Sequence, residues 1–175
     1  MDKKLTSPFT KEKIKELRAG DSVLITGTIY TARDEAHIRM LEEYDAGTPM
    51  PLPIEGALIY YVGPSPAAPG QVIGAAGPTS SYRMDPFAPR LLDMGMAGMI
   101  GKGPRSHEVV EAIKRNGGIY FAAIGGAGAL ISKSIKKAEL VAYEDLQTEA
   151  IRKLEVEDFP VIVAIDCDGN DLYEE

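Results

Sequence analysis

The chain has 175 residues, 45% hydrophobic and 26% charged, with a formal net charge of −7 and a pI near 5.0. That length supports a substantial core and points to one domain over 1–175, while the acidic balance excludes nucleic acid as the main partner, because phosphate binding needs a basic face. A single cysteine, Cys167, excludes an intrachain disulfide and a cysteine-ligated metal centre made by this chain alone; the absence of an apolar leader or a run of about 18 apolar residues argues for a cytoplasmic chain without a membrane span.

Thr10 to Arg18 reads as a short capped helix with Ile14 and Leu17 inward and Gly20 as its stop. Ser22 to Thr26 is a buried strand. Asp34 to Tyr44 is a helix whose apolar side carries Ala36, Met40, Leu41 and Tyr44. Ala57 to Val62 and Gln71 to Ala75 read as strands, the first closed by the Gly63-Pro64-Ser65-Pro66 turn. Phe87 to Met94 is helical, with Asp85 as cap, Pro86 at the first position and Gly95 as the end. The strand Ala97 to Ile100 feeds a helix that starts after Ser106 and stops at Gly117-Gly118. Ile119 to Ile124 is a strand, Ala129 to Ile135 a helix and Glu139 to Tyr143 a strand. An exposed helix near Leu146 to Lys153 precedes a last strand, Val161 to Ile165, and a hairpin turn at Asp168-Gly169. Strands alternate with helices and several are apolar throughout. The pattern is α/β, with a partly parallel central sheet and flanking helices.

Three loops combine glycine, hydroxyls and a cation where a strand gives way to a helix. They hold Arg33, Arg83 and the pair Lys102 and Arg105. Thr31 and Asp34 have capping-box spacing, which puts Arg33 in a first helical turn; Ser106 caps the helix behind Lys102 and Arg105. A helix N-terminus is partly positive, so a cation there is disfavoured unless an anion joins it. A carboxylate or phosphate ligand is the simplest such anion. The competing reading of each cation is a solvated surface charge. The glycines at 77, 101, 103, 125 and 126 allow close approach of backbone to a ligand or partner. Tyr60-Tyr61 and Met94, Met96 and Met99 read as core or partner-facing surface.

These loops resemble the β subunit of two-subunit class I fumarate hydratases, which is also the C-terminal domain of single-chain class I fumarases and the β subunit of tartrate dehydratase. The resemblance rests on Thr31-Ala32-Arg33-Asp34-Glu35-Ala36-His37, Tyr60-Tyr61-Val62-Gly63-Pro64 and Gly77-Pro78-Thr79-Ser80-Ser81-Tyr82-Arg83-Met84-Asp85. Lys102-Gly103-Pro104-Arg105-Ser106 fits the family's Lys-Gly-x-x-Ser, and Gly125-Gly126-Ala127-Gly128-Ala129-Leu130 and Val156-Glu157-Asp158-Phe159-Pro160 follow in order. It covers nearly the whole chain from Gly20. One departure is Thr79-Ser80 where the family often has two threonines; the hydroxyl is kept.

The resemblance implies a swivelling β/β/α domain and reversible hydration of fumarate to (S)-malate, a hydro-lyase step of the tricarboxylic acid cycle. It implies a 4Fe-4S cluster supplied by an α subunit, with no metal bound by this chain alone, and an active site shared between the subunits. An α2β2 heterotetramer is the implied assembly, with a β–β homodimer for the chain alone. Arg33, Arg83 and Lys102 would clamp the dicarboxylate, and Lys102 would act in catalysis. Thr79 would carry the proton of carbon 3, its competing role being a turn cap. Ser106 is a helix cap that could also touch substrate. His37, one turn after Arg33, supports that arginine, meets substrate or is structural. Tartrate dehydration to oxaloacetate is the near alternative, and a non-catalytic anion-binding assembly module the distant one.

Overall fold

The computed structural model describes residues 2–64, 67–74, 76–123 and 128–173. Among them four strands run parallel side by side: β1 (Lys3–Ser7), β2 (Ser22–Thr31), β3 (Leu58–Tyr60) and β4 (Gly98–Gly101), and β4 pairs in parallel with β5 (Ile119–Ala123). The long strand β7 (Ile151–Ile165) is antiparallel to both β5 and β2. It thereby joins the two ends of the β2-β3-β4-β5 run and closes a five-strand ring. The edge strand β6 (Ile135–Ala142) pairs with β7. The architecture is α/β with a mixed sheet.

Both faces of β3, β4 and β5 are buried, which is why they read as apolar throughout, whereas β2 and much of β7 alternate buried with partly exposed positions. In β3, Leu58 and Tyr60 face one cluster while Ile59 and the following Tyr61 face another. The first cluster draws on all five ring strands, with Ile25, Ile29, Ile100, Phe121, Leu154, Phe159 and Val163; Tyr60 meets Phe159 edge-on with ring centres 5.2 Å apart. The short helix α1 (Lys11–Lys15) adds Ile14 to it, and Leu17 follows. The second cluster packs the outer face of the sheet under α2 (Asp34–Asp45), α3 (Ala88–Asp93) and α4 (His107–Asn116) through Met40, Leu91, Leu92, Val109 and Ile113. Helix α5 (Gly128–Ser134) leads into β6.

Most expected elements are present, with shifted limits. Thr10 caps α1 by accepting from the Lys13 amide, and Ser106 caps α4 by accepting from the Val109 amide. Gly117 ends α4 in the left-handed conformation, φ 66°. Four expectations need correction. Residues 72–74 form bends and Gln71 is irregular, so no strand runs over 71–74, and Ala75 lies outside the described residues. The stretch after Tyr143 is a 3-10 helix, Glu144–Glu149, and from Ile151 the chain is strand, because β2 and β6 take up its backbone bonds on both sides. Strand β1, short and charged, lacks the apolar run that marks the other strands. Tyr44 is exposed. Neither Thr31 nor Asp34 caps α2: its N-cap is Arg33, and Thr31 ends β2, accepting from the Arg152 amide at 3.1 Å. Ile124, Gly125, Gly126 and the Ser65-Pro66 half of the expected turn lie outside the described residues. No helix among the described residues is long and apolar enough to cross a membrane.

Candidate active site

The parallel strands β2, β3 and β4 end level with one another, Thr31 beside Tyr60 and Tyr60 beside Ile100. The loops that follow emerge together at the carboxyl ends of the strands, where ligands bind in such sheets. Arg33 comes first. Its guanidinium lies across the backbone of Gly63: a Cβ at that position would stand 2.7 Å from Arg33 Nη1 and 3.1 Å from its Cδ. Only glycine leaves that room. Arg33 is half-buried, and its Nε has no partner.

The segment from Gly77 to Asp85 crosses the ends of β3 and β4. The Thr79 amide and hydroxyl both donate to the Tyr61 carbonyl, at 2.9 Å and 3.0 Å. Ser80 bridges to Lys102, the Ser81 amide donates to the Lys102 carbonyl at 2.9 Å, and the Lys102 amide donates to Ser81 Oγ at 3.0 Å. Arg83 Nε stands 3.6 Å from Asp34 Oδ2, tying this segment back to the Arg33 loop. The structure thus packs together the loops that carry Arg33, Thr79, Arg83 and Lys102. The Arg83 and Lys102 side chains are exposed.

The anion expected at the start of α4 is in part internal. Asp85 does not cap α3, whose N-cap is Phe87 and whose second residue, Pro89, replaces Pro86 as the early proline. Asp85 instead accepts from Arg105 Nε at 2.6 Å and from the Ser106 amide at 2.8 Å. Arg105 is therefore not a cation awaiting a ligand. Its side chain is fully buried, its Nη2 donates to the Tyr61 hydroxyl at 3.2 Å, and its guanidinium lies 4.7 Å from the Tyr120 ring centre. Ser106 has both its amide and its hydroxyl committed, to Asp85 and to the Val109 amide. Lys102, Arg33 and Arg83 remain the cations that face outward.

His37 is fully buried between the rings of Tyr61 and Phe87, at centre distances of 5.7 Å and 5.6 Å. Its Nδ1 lies 2.7 Å from the Arg33 carbonyl, which only accepts, so Nδ1 carries the proton. Burial pushes the ring's pKa down to about 4, against the opposing pull of that hydrogen bond, so the ring is neutral at pH 7. His37 holds the backbone of Arg33. Its Nε2 is then a bare acceptor, buried without a partner, as is Asp34 Oδ1. Together with Arg33 Nε, three residues at the start of α2, its N-cap and two in its first turn, each carry an unanswered polar atom, a costly arrangement in a protein interior.

Of the glycines expected to admit a ligand, Gly101 instead admits Ser81, whose Oγ would lie 2.0 Å from an added Cβ; Gly77 has nothing close by. Tyr60, Tyr61, Met96 and Met99 are core residues. A cavity of about 650 Å³ lies at the other end of the strands, lined by Phe9, Lys11, Glu55 and Asn116 among others. Asp93 there is already bonded to Arg115 and Asn116, and none of the outward cations reaches it. Among the described residues no group of three or more His, Cys, Asp or Glu is placed to hold a metal ion. The Cys167 thiol packs against the first core cluster, and burial raises its pKa.

A family model described as the fumarase C-terminus matches residues 2–175. "Fumarate hydratase 2" of Leishmania major is 38% identical over 165 residues, 93% of this chain and 29% of that protein. "Fumarate hydratase class I, anaerobic" of Escherichia coli is 42% identical over 153 residues, 86% of this chain and 28% of that protein. The "Putative L(+)-tartrate dehydratase subunit beta" of Methanocaldococcus jannaschii is 36% identical over 173 residues, 95% of this chain and 89% of that protein. The chain thus spans under a third of the length of these two fumarate hydratases.

Proposed function

The chain belongs to the fumarase C-terminus family, and on that premise we propose that it is the β subunit of a class I fumarate hydratase, hydrating fumarate reversibly to (S)-malate. The observation that carries this reading is the packing of three cation-bearing loops at the level ends of β2, β3 and β4, with a partnerless Arg33 Nε among them. A dicarboxylate supplies acceptors for the outward-facing cationic groups of these loops. Arg33 and Arg83 take its carboxylates through their planar forks, and Lys102 adds a point charge. The same cations stabilise the charge that grows when carbon 3 loses its proton. The swivelling β/β/α description, one domain over 1–175 and a cytoplasmic location rest on the sequence reading and the family resemblance.

Thr79 moves that proton. Its hydroxyl donates to the Tyr61 carbonyl, which leaves the lone pairs of its oxygen to accept a proton. A carbonyl does not keep a proton at neutral pH. Thr79 therefore needs a second acceptor, a carboxylate from a partner chain, to complete the relay. His37 fixes Arg33 from behind, and Ser106 fixes the start of α4.

The family resemblance implies a 4Fe-4S cluster, and the residues present do not fit one. Cys167 is the single cysteine, and it faces the core. The cluster belongs on an α subunit, and the site is completed at the interface with it, in an α2β2 assembly. The subunit reading is supported by the near full-length match to the tartrate dehydratase β subunit. That match also favours the second reading, dehydration of tartrate to oxaloacetate. The test is an anaerobic assay of the chain with its α partner on fumarate, (S)-malate and both tartrates. Fumarate hydration is the expected result. Turnover of tartrate alone selects the second reading, and dicarboxylate binding without turnover selects a non-catalytic module.

A further inference from the structure

We infer that Tyr120 and Ser81 form a hydroxyl chain that positions Lys102, making both of them positioning residues for the site; this rests on the reading of Lys102 as a carboxylate contact. The Tyr120 hydroxyl stands 2.7 Å from Ser81 Oγ and 2.8 Å from the Gly103 carbonyl. One phenolic proton does not serve both. The carbonyl only accepts, so Tyr120 donates to Gly103, and Ser81 donates its hydroxyl proton to Tyr120. The lone pairs of Ser81 Oγ are then left for the Lys102 amide, which donates to it at 3.0 Å. The order is fixed: Lys102 amide to Ser81, Ser81 to Tyr120, Tyr120 to the Gly103 carbonyl.

The amide and carbonyl of Lys102 and those of Gly103 are all bound. Its amide goes to Ser81 Oγ, its carbonyl accepts from the Ser81 amide at 2.9 Å, and the next carbonyl is held by Tyr120. The Gly103 amide reaches the Tyr173 hydroxyl at 3.3 Å. Ser81 and Tyr120 are both fully buried, so water does not compete for their bonds. Lys102 itself is exposed, with no protein group holding its side chain among the described contacts. A lysine in a glycine-flanked loop has many backbone choices, and loses most of them here. The hydroxyl chain replaces that freedom with one Cα–Cβ direction. Gly101 is needed for the same reason, because a side chain there would fall on Ser81 Oγ.

The test uses Tyr120→Phe, with Ser81→Ala as the second variant and Ser7→Ala as the control. Ser7 is also buried and loses one hydroxyl bond to a carbonyl, that of Thr28, between β1 and β2 and away from the loops that carry the cations. Two readouts are needed. Amide hydrogen exchange on the chain without substrate reports the Lys102 and Gly103 backbone and does not depend on the reaction. Kinetics of the assembled enzyme with (S)-malate report the consequence for substrate. Tyr120→Phe is expected to speed exchange at Lys102 about tenfold or more, and to raise KM roughly 10- to 100-fold with a smaller change in kcat, because the misplaced ammonium is a contact to bound substrate. Ser7→Ala is expected to lower the melting temperature with KM unchanged within about twofold. Wild-type exchange and wild-type KM in Tyr120→Phe would overturn the inference, as would an equal rise of KM in Ser7→Ala. If Ser81→Ala fails to fold, Tyr120→Phe alone decides. A wild-type enzyme inactive on every dicarboxylate overturns the proposed function, and unchanged exchange overturns the positioning chain.

Discussion

Asp85 and Arg105 form a buried ion pair, Oδ1 to Nε at 2.6 Å, with the arginine side chain wholly out of solvent and the aspartate 12% exposed. The other carboxylate oxygen takes the Ser106 amide, so one residue joins the Gly77 segment to the start of α4. This pair, not a ligand, neutralises one of the two cations that precede that helix. Removing the aspartate strands a buried guanidinium. Asp85→Ala is expected to lower stability by about 3–5 kcal/mol in urea denaturation. Asp85→Asn, which keeps an acceptor for Ser106, should lose less. A loss under about 1 kcal/mol in Asp85→Ala would show that water reaches Arg105 freely.

His37 gives stability a dependence on pH. The folded ring resists protonation until about pH 4, whereas the unfolded ring takes a proton near its ordinary value of 6.5. Between those values the unfolded state binds more protons. The His37 contribution is therefore full above pH 6.5 and falls as the pH drops toward 4, with a slope of up to about 1.4 kcal/mol per pH unit. His37→Gln should flatten that part of the stability profile. An equally steep profile in the variant would assign the slope to other groups.

Arg33→Ala, Arg83→Ala and Lys102→Ala should each lower kcat/KM of the assembled enzyme by at least about tenfold, the scale of one charge-assisted hydrogen bond. Arg83 pairs with Asp34 at 3.6 Å and is 38% exposed, so its loss should cost well under about 1 kcal/mol of stability. Near wild-type kcat/KM with Arg83→Ala would remove it from the clamp.

Thr79→Ala should reduce kcat by roughly 10²–10⁴-fold, the range for losing a general acid or base, and affect KM less. Thr79→Ser should retain much of the rate, because the hydroxyl survives. Exchange of the carbon 3 hydrogen of malate with deuterated solvent isolates the step. If Thr79→Ala leaves exchange and turnover intact, the residue is a turn cap bonded to Tyr61 and no more.

The isolated chain, reconstituted anaerobically with iron and sulfide, should bind no stoichiometric cluster and show no hydratase activity. The reason is its one cysteine, which faces the core. Iron analysis giving a full cluster on this chain alone would sink the shared site.

Much of this site is legible in the sequence because its signals are local. Ser106 and Thr10 each bond an amide three residues on, Gly117 stops α4, and the cations stand in loops punctuated by glycine. Those bonds form within one turn of chain, so residue type and spacing specify them. The alternation of apolar strands and capped helices fixes the α/β class for the same reason. What the tertiary structure alone decided involves partners far apart along the chain. Asp85 reads locally as a helix cap but does not cap α3; Arg105, twenty residues on, claims it. Tyr120 was one apolar strand position among several until β5 laid it beside Ser81, thirty-nine residues away. Residues 151–153 read as helix, yet backbone donors on β2 and β6 outweighed that preference once β7 closed the ring. Residue type and spacing specify which short segments cap, turn and carry charge. Which buried polar groups meet was decided by strand order and register, because a hydrogen bond depends on position to within tenths of an ångström, and no local pattern encodes where a distant strand will lie.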